Sequence, residues 1–229
     1  MATAGMAAAQ SRGLTQGLIG GIAGLGFAAG VILQNGVLMA GSPLPGAPLD
    51  EVARFYSDQG GRVMIATGWI AINAIFLLTF LSVVTARLQE SAASAVWGRV
   101  AYAAGIALMA LFATGASMQA VLVTRISELE TNQAVLGMLW AMHSASFAMS
   151  MVALGVTLLA LSLGALATPV VPGWTAKLGM LGGVLLLSGG AFAFNVIDGG
   201  PALFLGFAGF GMWVVWLITA SIRMLRTDS

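Results

Sequence analysis

The side chains able to do chemistry inside the apolar stretches of this sequence are few: one imidazole, His143, and the carboxamides of Gln34, Asn35, Asn73, Gln119 and Asn195. A carboxamide offers two donors and an acceptor, and a neutral imidazole offers one of each. Such a set recognises a ligand by hydrogen bonding. His143 has no obvious carboxylate or nucleophile beside it within the apolar stretches, so a membrane enzyme ranks behind a binding protein. Ser144, Ser146 and Ser150 surround it in sequence, and a lone histidine of this kind is more often a satisfied hydrogen-bonding residue than a ligand.

Met138, Met142 and Met149 recur near one face of the same stretch. Thioether and imidazole together would suit Cu(I), but flexible core filling is the stronger expectation for these methionines. The carboxylates sit in loops and not in pairs, which leaves no other metal constellation. Without cysteine there are no disulfides, thiolate metal sites or thiol catalysis, and a single histidine excludes a bis-His haem within one chain. No cofactor follows from the sequence.

The elements that must position these groups are apolar helices. The 229 residues are 59% hydrophobic and 7% charged, with a mean hydropathy of +0.97, far below the roughly 25% charge of soluble domains. Six stretches, 14–40, 63–86, 99–124, 134–166, 177–197 and 202–222, each approach or exceed the roughly 20 apolar residues that cross a bilayer. Helix is the natural form there, because every backbone donor and acceptor must be satisfied within the segment. The expectation is an all-α, polytopic membrane bundle of six transmembrane helices. It has a tail at 1–13, a membrane domain at 14–222 and a tail at 223–229. The first stretch is too long for a signal-peptide core and reads as a retained helix.

Loop charges set an orientation. Arg12, Arg87, Arg99, Lys177, Arg223 and Arg226 fall on one side, and only Arg54, Arg62 and Arg125 on the other, so both termini are expected in the cytoplasm and the protein in the cell inner, or plasma, membrane. A net charge of +1 gives no support for nucleic acid as a partner. The longest loop, 41–62, combines Pro43, Pro45 and Pro48 with a short amphipathic helix, in which Asp50 is the expected N-cap and Phe55 turns toward the bundle or the lipid interface. Trp97, Trp174 and Trp140 read as interfacial anchors.

On this topology Gln34, Asn35, Thr114, Ser117, Gln119, Ser188 and Asn195 lie in the outer halves of their helices, with Asn73 and His143 nearer the middle. Polar groups in a membrane tend to face the bundle interior or a wet cavity. Two readings stand side by side: an outward-facing pocket formed by Gln34, Asn35, Asn73, Gln119, His143 and Asn195, or interhelical glue. Glycines at fourfold spacing (17 and 21, 20 and 24, 26 and 30, 179 and 183) are expected to pack helices within the monomer.

The segment Asp50-Glu51-Val52-Ala53-Arg54-Phe55-Tyr56, then Gly61-Arg62, Leu139-Trp140-Ala141-Met142-His143, Pro172-Gly173-Trp174 and Met212-Trp213, resembles a bacterial six-helix membrane family known only as domain of unknown function 4386. The resemblance implies the fold and carries no activity. The expected function is therefore non-enzymatic: an outward-facing polar cavity that binds a small or lipidic ligand or a partner subunit. A small oligomeric transporter is the alternative. Expected partners are membrane lipid and a hydrophobic ligand or a partner membrane protein, with homo-oligomerisation left open.

Overall fold

The computed structural model of the chain describes the backbone of residues 2–227 and the side chains of residues 16–226. Met1, Asp228 and Ser229, which fall in the two expected tails, lie outside the described residues. Every regular element among them is helical: α1 (Ala2–Leu33), running into a π-helical segment (Gln34–Leu38), α2 (Leu49–Asp58), α3 (Gly60–Gln89), α4 (Ala95–Leu129), α5 (Gln133–Ala167), α6 (Gly173–Ala191), α7 (Ala193–Ile197) and α8 (Ala202–Thr227).

Among the described residues, five helices are long and apolar enough to cross a membrane: Gln16–Leu38, Gly60–Gln89, Ala95–Leu129, Gln133–Ala167 and Ala202–Arg226. That is the build of a multi-pass membrane protein. The expected stretch at 177–197 is divided instead. Its helix ends at Ala191, Phe192 leaves helical geometry at φ −98°, ψ 41°, and α7 restarts beyond it. Lys177 and the glycines at 179, 182, 183, 189 and 190 also dilute the apolar character of α6.

The long helices pack as a closed ring in which each touches its neighbours in the order α1, α3, α4, α5, α6, α8 and back to α1. Short connections make sequence neighbours into spatial neighbours. Two halves of this ring differ. At the end away from α2, fully buried Leu77, Phe80, Leu81, Leu88, Leu158, Leu161 and Trp216 fill the centre. There a Cβ on Gly21 would strike Leu225 and the Ser221 carbonyl of α8, and one on Gly183 would press on the Gly155 carbonyl. The glycine spacing thus serves helix contact within the chain. Ser94 fastens the same end: its hydroxyl lies 2.5 Å from the Leu88 carbonyl, to which it donates, and 2.7 Å from Thr168 Oγ1.

At the other end, residues 39–48 and α2 form a strap. Val52, Ala53, Phe55 and Tyr56 are buried against Leu122 and Leu129 of α4, Leu136 and Trp140 of α5 and Val63 of α3. The helix begins earlier than expected, because Pro48 at φ −55° supplies the N-cap position; Asp50 sits inside the first turn, 3.3 Å from Arg54. Midway along the strap, Gly46 and Gly199 face one another. Both hold positive φ (+78° and +74°), and a Cβ on either would strike the other's neighbour, Asp198 or Pro45. Only glycine satisfies both demands.

Two further expectations change. Trp140 is 5% exposed, covered by α2, and is not an interfacial anchor. Met138, Met142 and Met149 lie on the outside of α5 rather than in its core. A membrane protein has an apolar exterior to match, so helical spacing of methionines does not tell the two faces apart.

Candidate functional site

The π-helical turn at Gln34–Leu38 begins the site. Here the ladder widens so that the Met39 amide reaches the Gln34 carbonyl (2.8 Å), five residues back. Asn35 Nδ2 donates to the Val31 carbonyl at 3.0 Å. Arg62 closes the turn by donating to the carbonyls of Val37 (2.6 Å) and Ala40 (3.3 Å) and to Gln59 Oε1 (2.8 Å). A cation at a helix C-terminus both satisfies orphan carbonyls and meets the negative end of the dipole.

Across from this turn stands Asn73 on α3. Its Nδ2 donates to Gln34 Oε1 at 2.7 Å, and Gln34 Nε2 donates to the Ala66 carbonyl at 3.1 Å. Gly30 is what lets α3 come this near, since a Cβ there would overlap Asn73 Oδ1 and crowd the Trp69 indole nitrogen. Both of those atoms are buried without a hydrogen-bond partner among the described residues.

Within the ring these residues border a cavity of about 300 Å³. Gln34, Asn35, Asn73, Gln119 and His143 all line it, joined by Ser146 and Ser150. Ser146 donates to the Leu111 carbonyl of α4 at 2.9 Å, and Ser150 to its own helix at Phe147 (2.6 Å). The remaining wall is apolar and aromatic, with Phe27, Phe112, Phe147, Phe207, Phe210 and Trp213 among its members. Among the described residues no Asp, Glu, Lys or Arg lines it, which leaves His143 as the one titratable side chain of its described lining.

His143 is held by stacking. Its ring lies 5.1 Å from that of Trp140, nearly parallel at 12°, and Tyr56 of α2 meets Trp140 edge-on at 6.3 Å. An aromatic run therefore connects the strap to the cavity. The space beside the imidazole is not tight at Gly115, where a Cβ would touch only Ser146 and His143, at 3.8 and 4.0 Å. His143 Nδ1 is buried without a hydrogen-bond partner among the described residues. Burial raises the Tyr56 phenol above its ordinary pKa of 10.0, with the neighbouring Gln119 side chain pulling the other way.

Five of the six residues expected to form the site are thus brought to one cavity, and Asn195 is not. The interruption at Phe192 places Asn195 in the short α7, where its Oδ1 accepts from the Ala202 amide at 2.8 Å and caps α8. Thr114 and Ser117 are exposed and bond to their own helix at Ala110 and Ala113. Tyr56, Trp140 and the cavity phenylalanines escaped sequence reasoning. The motif Leu139-Trp140-Ala141-Met142-His143 held a signal, since Trp140 precedes His143 by one helical turn.

Fold and site together define an all-helical chain with the make-up of a multi-pass membrane protein and a mixed polar and aromatic cavity at the centre of its ring. Compared with family models, with curated proteins and with solved structures, the chain matches none.

Proposed function

We propose that this protein binds a small or lipidic ligand, or a segment of a partner subunit, in its central cavity, without catalysing a reaction on it. The single observation carrying this reading is the convergence of Gln34, Asn35, Asn73, Gln119 and His143, drawn from the π-helical segment after α1 and from α3, α4 and α5, on one cavity. Interhelical glue accounts for part of the set: the Gln34 amide is engaged at both its oxygen and its nitrogen. Glue does not account for His143, whose Nδ1 meets no partner among the described residues. Leaving such a group buried costs on the order of 1 to 3 kcal/mol, and a bound hydrogen-bonding group would recover it.

In this reading α6 and α7 together make a sixth, interrupted crossing. The 19 residues of α6 rise about 28 Å at 1.5 Å each, close to the thickness of the hydrocarbon core. An even number of crossings puts both termini on one side of the membrane, and in this reading that side is the cytoplasm of a cell whose plasma membrane holds the protein, with the strap outside. The loop charges support it: Arg87, Arg99, Lys177, Arg223 and Arg226 gather at the end away from the strap.

The test is to purify the protein from its membrane into nanodiscs and identify what is retained, by native mass spectrometry. Wild type is expected to keep a stoichiometric small molecule that His143→Ala loses, with both proteins equally monodisperse. Retention unchanged in His143→Ala and in Gln119→Ala would remove the cavity as a binding site.

A further inference from the structure

The walls of the cavity and the way the ring closes narrow the ligand further, given that the cavity is a binding site at all. We infer that the ligand is an uncharged, lipid-soluble amphiphile that enters sideways from the bilayer, between α1 and α8 and past Phe207.

Charge comes first. A charged head buried among these walls would meet no fixed counter-charge, and desolvating an unpaired ion is prohibitively costly. Hydrogen-bonding groups are present instead, with Gln119, His143 and Ser146 beside a body of Leu108, Phe112, Phe147, Leu154 and Phe210. A hydroxyl, carbonyl or amide head on an aliphatic or aromatic body matches that division.

The route follows from what is closed. The strap leaves α1, meets the turn before α8 at Gly46 and Gly199, and returns across to pack on α3, α4 and α5, so it covers the end of the ring nearest the polar groups. The opposite end is filled by Leu81, Leu158 and Trp216. Of the described residues that line the cavity, only Asn35 and Phe207 are exposed, and they mark the seam between α1 and α8 as its opening to the side. At its tight end Gly21 and Gly24 of α1 rest on Leu225 and Ser221 of α8. Phe207 precedes Leu225 by about five whole turns, and Asn35 follows Gly24 by about three, so both lie on the faces that make this seam. Both line the cavity, yet Asn35 is exposed and Phe207 is 43% exposed. The two helices touch through glycine at one end, and toward the other the seam is flanked by exposed apolar side chains, Ile32 and Phe204. Phe207 packs on Phe147 inside (6.5 Å) and Phe204 outside (6.3 Å), a bulky ring standing in an opening.

The experiment uses the full chain in phosphatidylcholine nanodiscs and three photoreactive diazirine probes with one twelve-carbon chain: the alcohol, the carboxylate and the ammonium. Labelled residues are mapped by mass spectrometry, with the unmodified parent as competitor. The alcohol is expected to label cavity-lining positions of α4, α5 and α8 saturably, and the two ions to label them several-fold less. Phe207→Trp should slow the approach to full labelling several-fold, and Phe207→Ala should speed it. Cavity labelling by the carboxylate or the ammonium equal to that by the alcohol overturns the ligand class while leaving the cavity a binding site. Alcohol labelling whose rate is the same in wild type, Phe207→Trp and Phe207→Ala overturns the lateral route. Saturable cavity labelling by none of the three overturns this inference and the binding function together.

Discussion

The two ends of the ring are built from the same helices under opposite rules. Away from the strap, small residues bring backbones together and large ones fill what is left: Gly24 lies under Phe80 and Ser221, Gly179 under Trp216 and Ser162. Toward the strap the same helices separate around about 300 Å³ of space and carry their polar residues there. Close packing gives attraction between helices that lipid cannot supply, since lipid tails are as apolar as leucine. The comparison teaches that one end supplies stability and can leave the other under-packed, which is where a ligand site belongs.

The sharpest way to break this division is to remove bulk from the packed end. Trp216→Ala should destabilise by about 3 to 5 kcal/mol, the usual cost of truncating a fully buried aromatic, read as a fall in the apparent Tm of the detergent-solubilised protein. A fall no greater than that of a cavity-lining substitution such as Phe112→Ala would erase the distinction. Next comes the strap. Gly46→Ala places a Cβ at positive φ against Asp198 and should cost about 1 to 3 kcal/mol; limited proteolysis within 39–48, faster in the variant than in wild type, checks that the loss is local.

A smaller effect is confined to alkaline pH. Because burial holds the folded-state pKa of Tyr56 above the unfolded value of 10.0, its contribution is fully present below pH 10. It is lost as pH rises beyond that, since the unfolded chain gives up its proton first. Tyr56→Phe should therefore flatten the decline in stability above about pH 10, and an unchanged slope in a pH-stability series would contradict it. The smallest effect is expected at the cavity: Gly115→Ala, whose new methyl meets only atoms at 3.8 Å and beyond, should stay within about 0.5 kcal/mol of wild type. At Gly21, deep in the packed end, the same change should be clearly worse.

How much of this the sequence revealed depends on the kind of physics involved. The helices were legible because the cost of an unpaired backbone in lipid leaves little choice. The grouping of Gln34, Asn35, Asn73, Gln119 and His143 was legible because polar side chains at one depth share one escape from hydrocarbon. Asn195 is not legible in this way, since no proline marks the interruption at Phe192 and the sequence pattern reads as an unbroken helix that carries it into the bundle. Trp140 was misjudged for another reason. Near a helix end tryptophan ordinarily sits at the membrane surface, and only the packing of α2 over it, a tertiary event, turns it into the stacking partner of His143. The phenylalanines of the cavity carried no mark distinguishing them from the many that face lipid.

The order of helices around the ring also bears on how it is made. Nearly every interhelical contact joins segments adjacent in sequence, so most of the assembly can form locally while the chain is being synthesised. Among the long helices the chief exception is the join between α1 and α8, whose partners are separated by almost the whole described sequence and meet only after α8 is in place. Closing so long a loop adds little further entropy cost, because that cost grows only logarithmically with length, but it fixes the sequence of events. The glycine face of α1 must wait for its last neighbour, and a cell that halts synthesis before α8 is left with an open, unsealed arc.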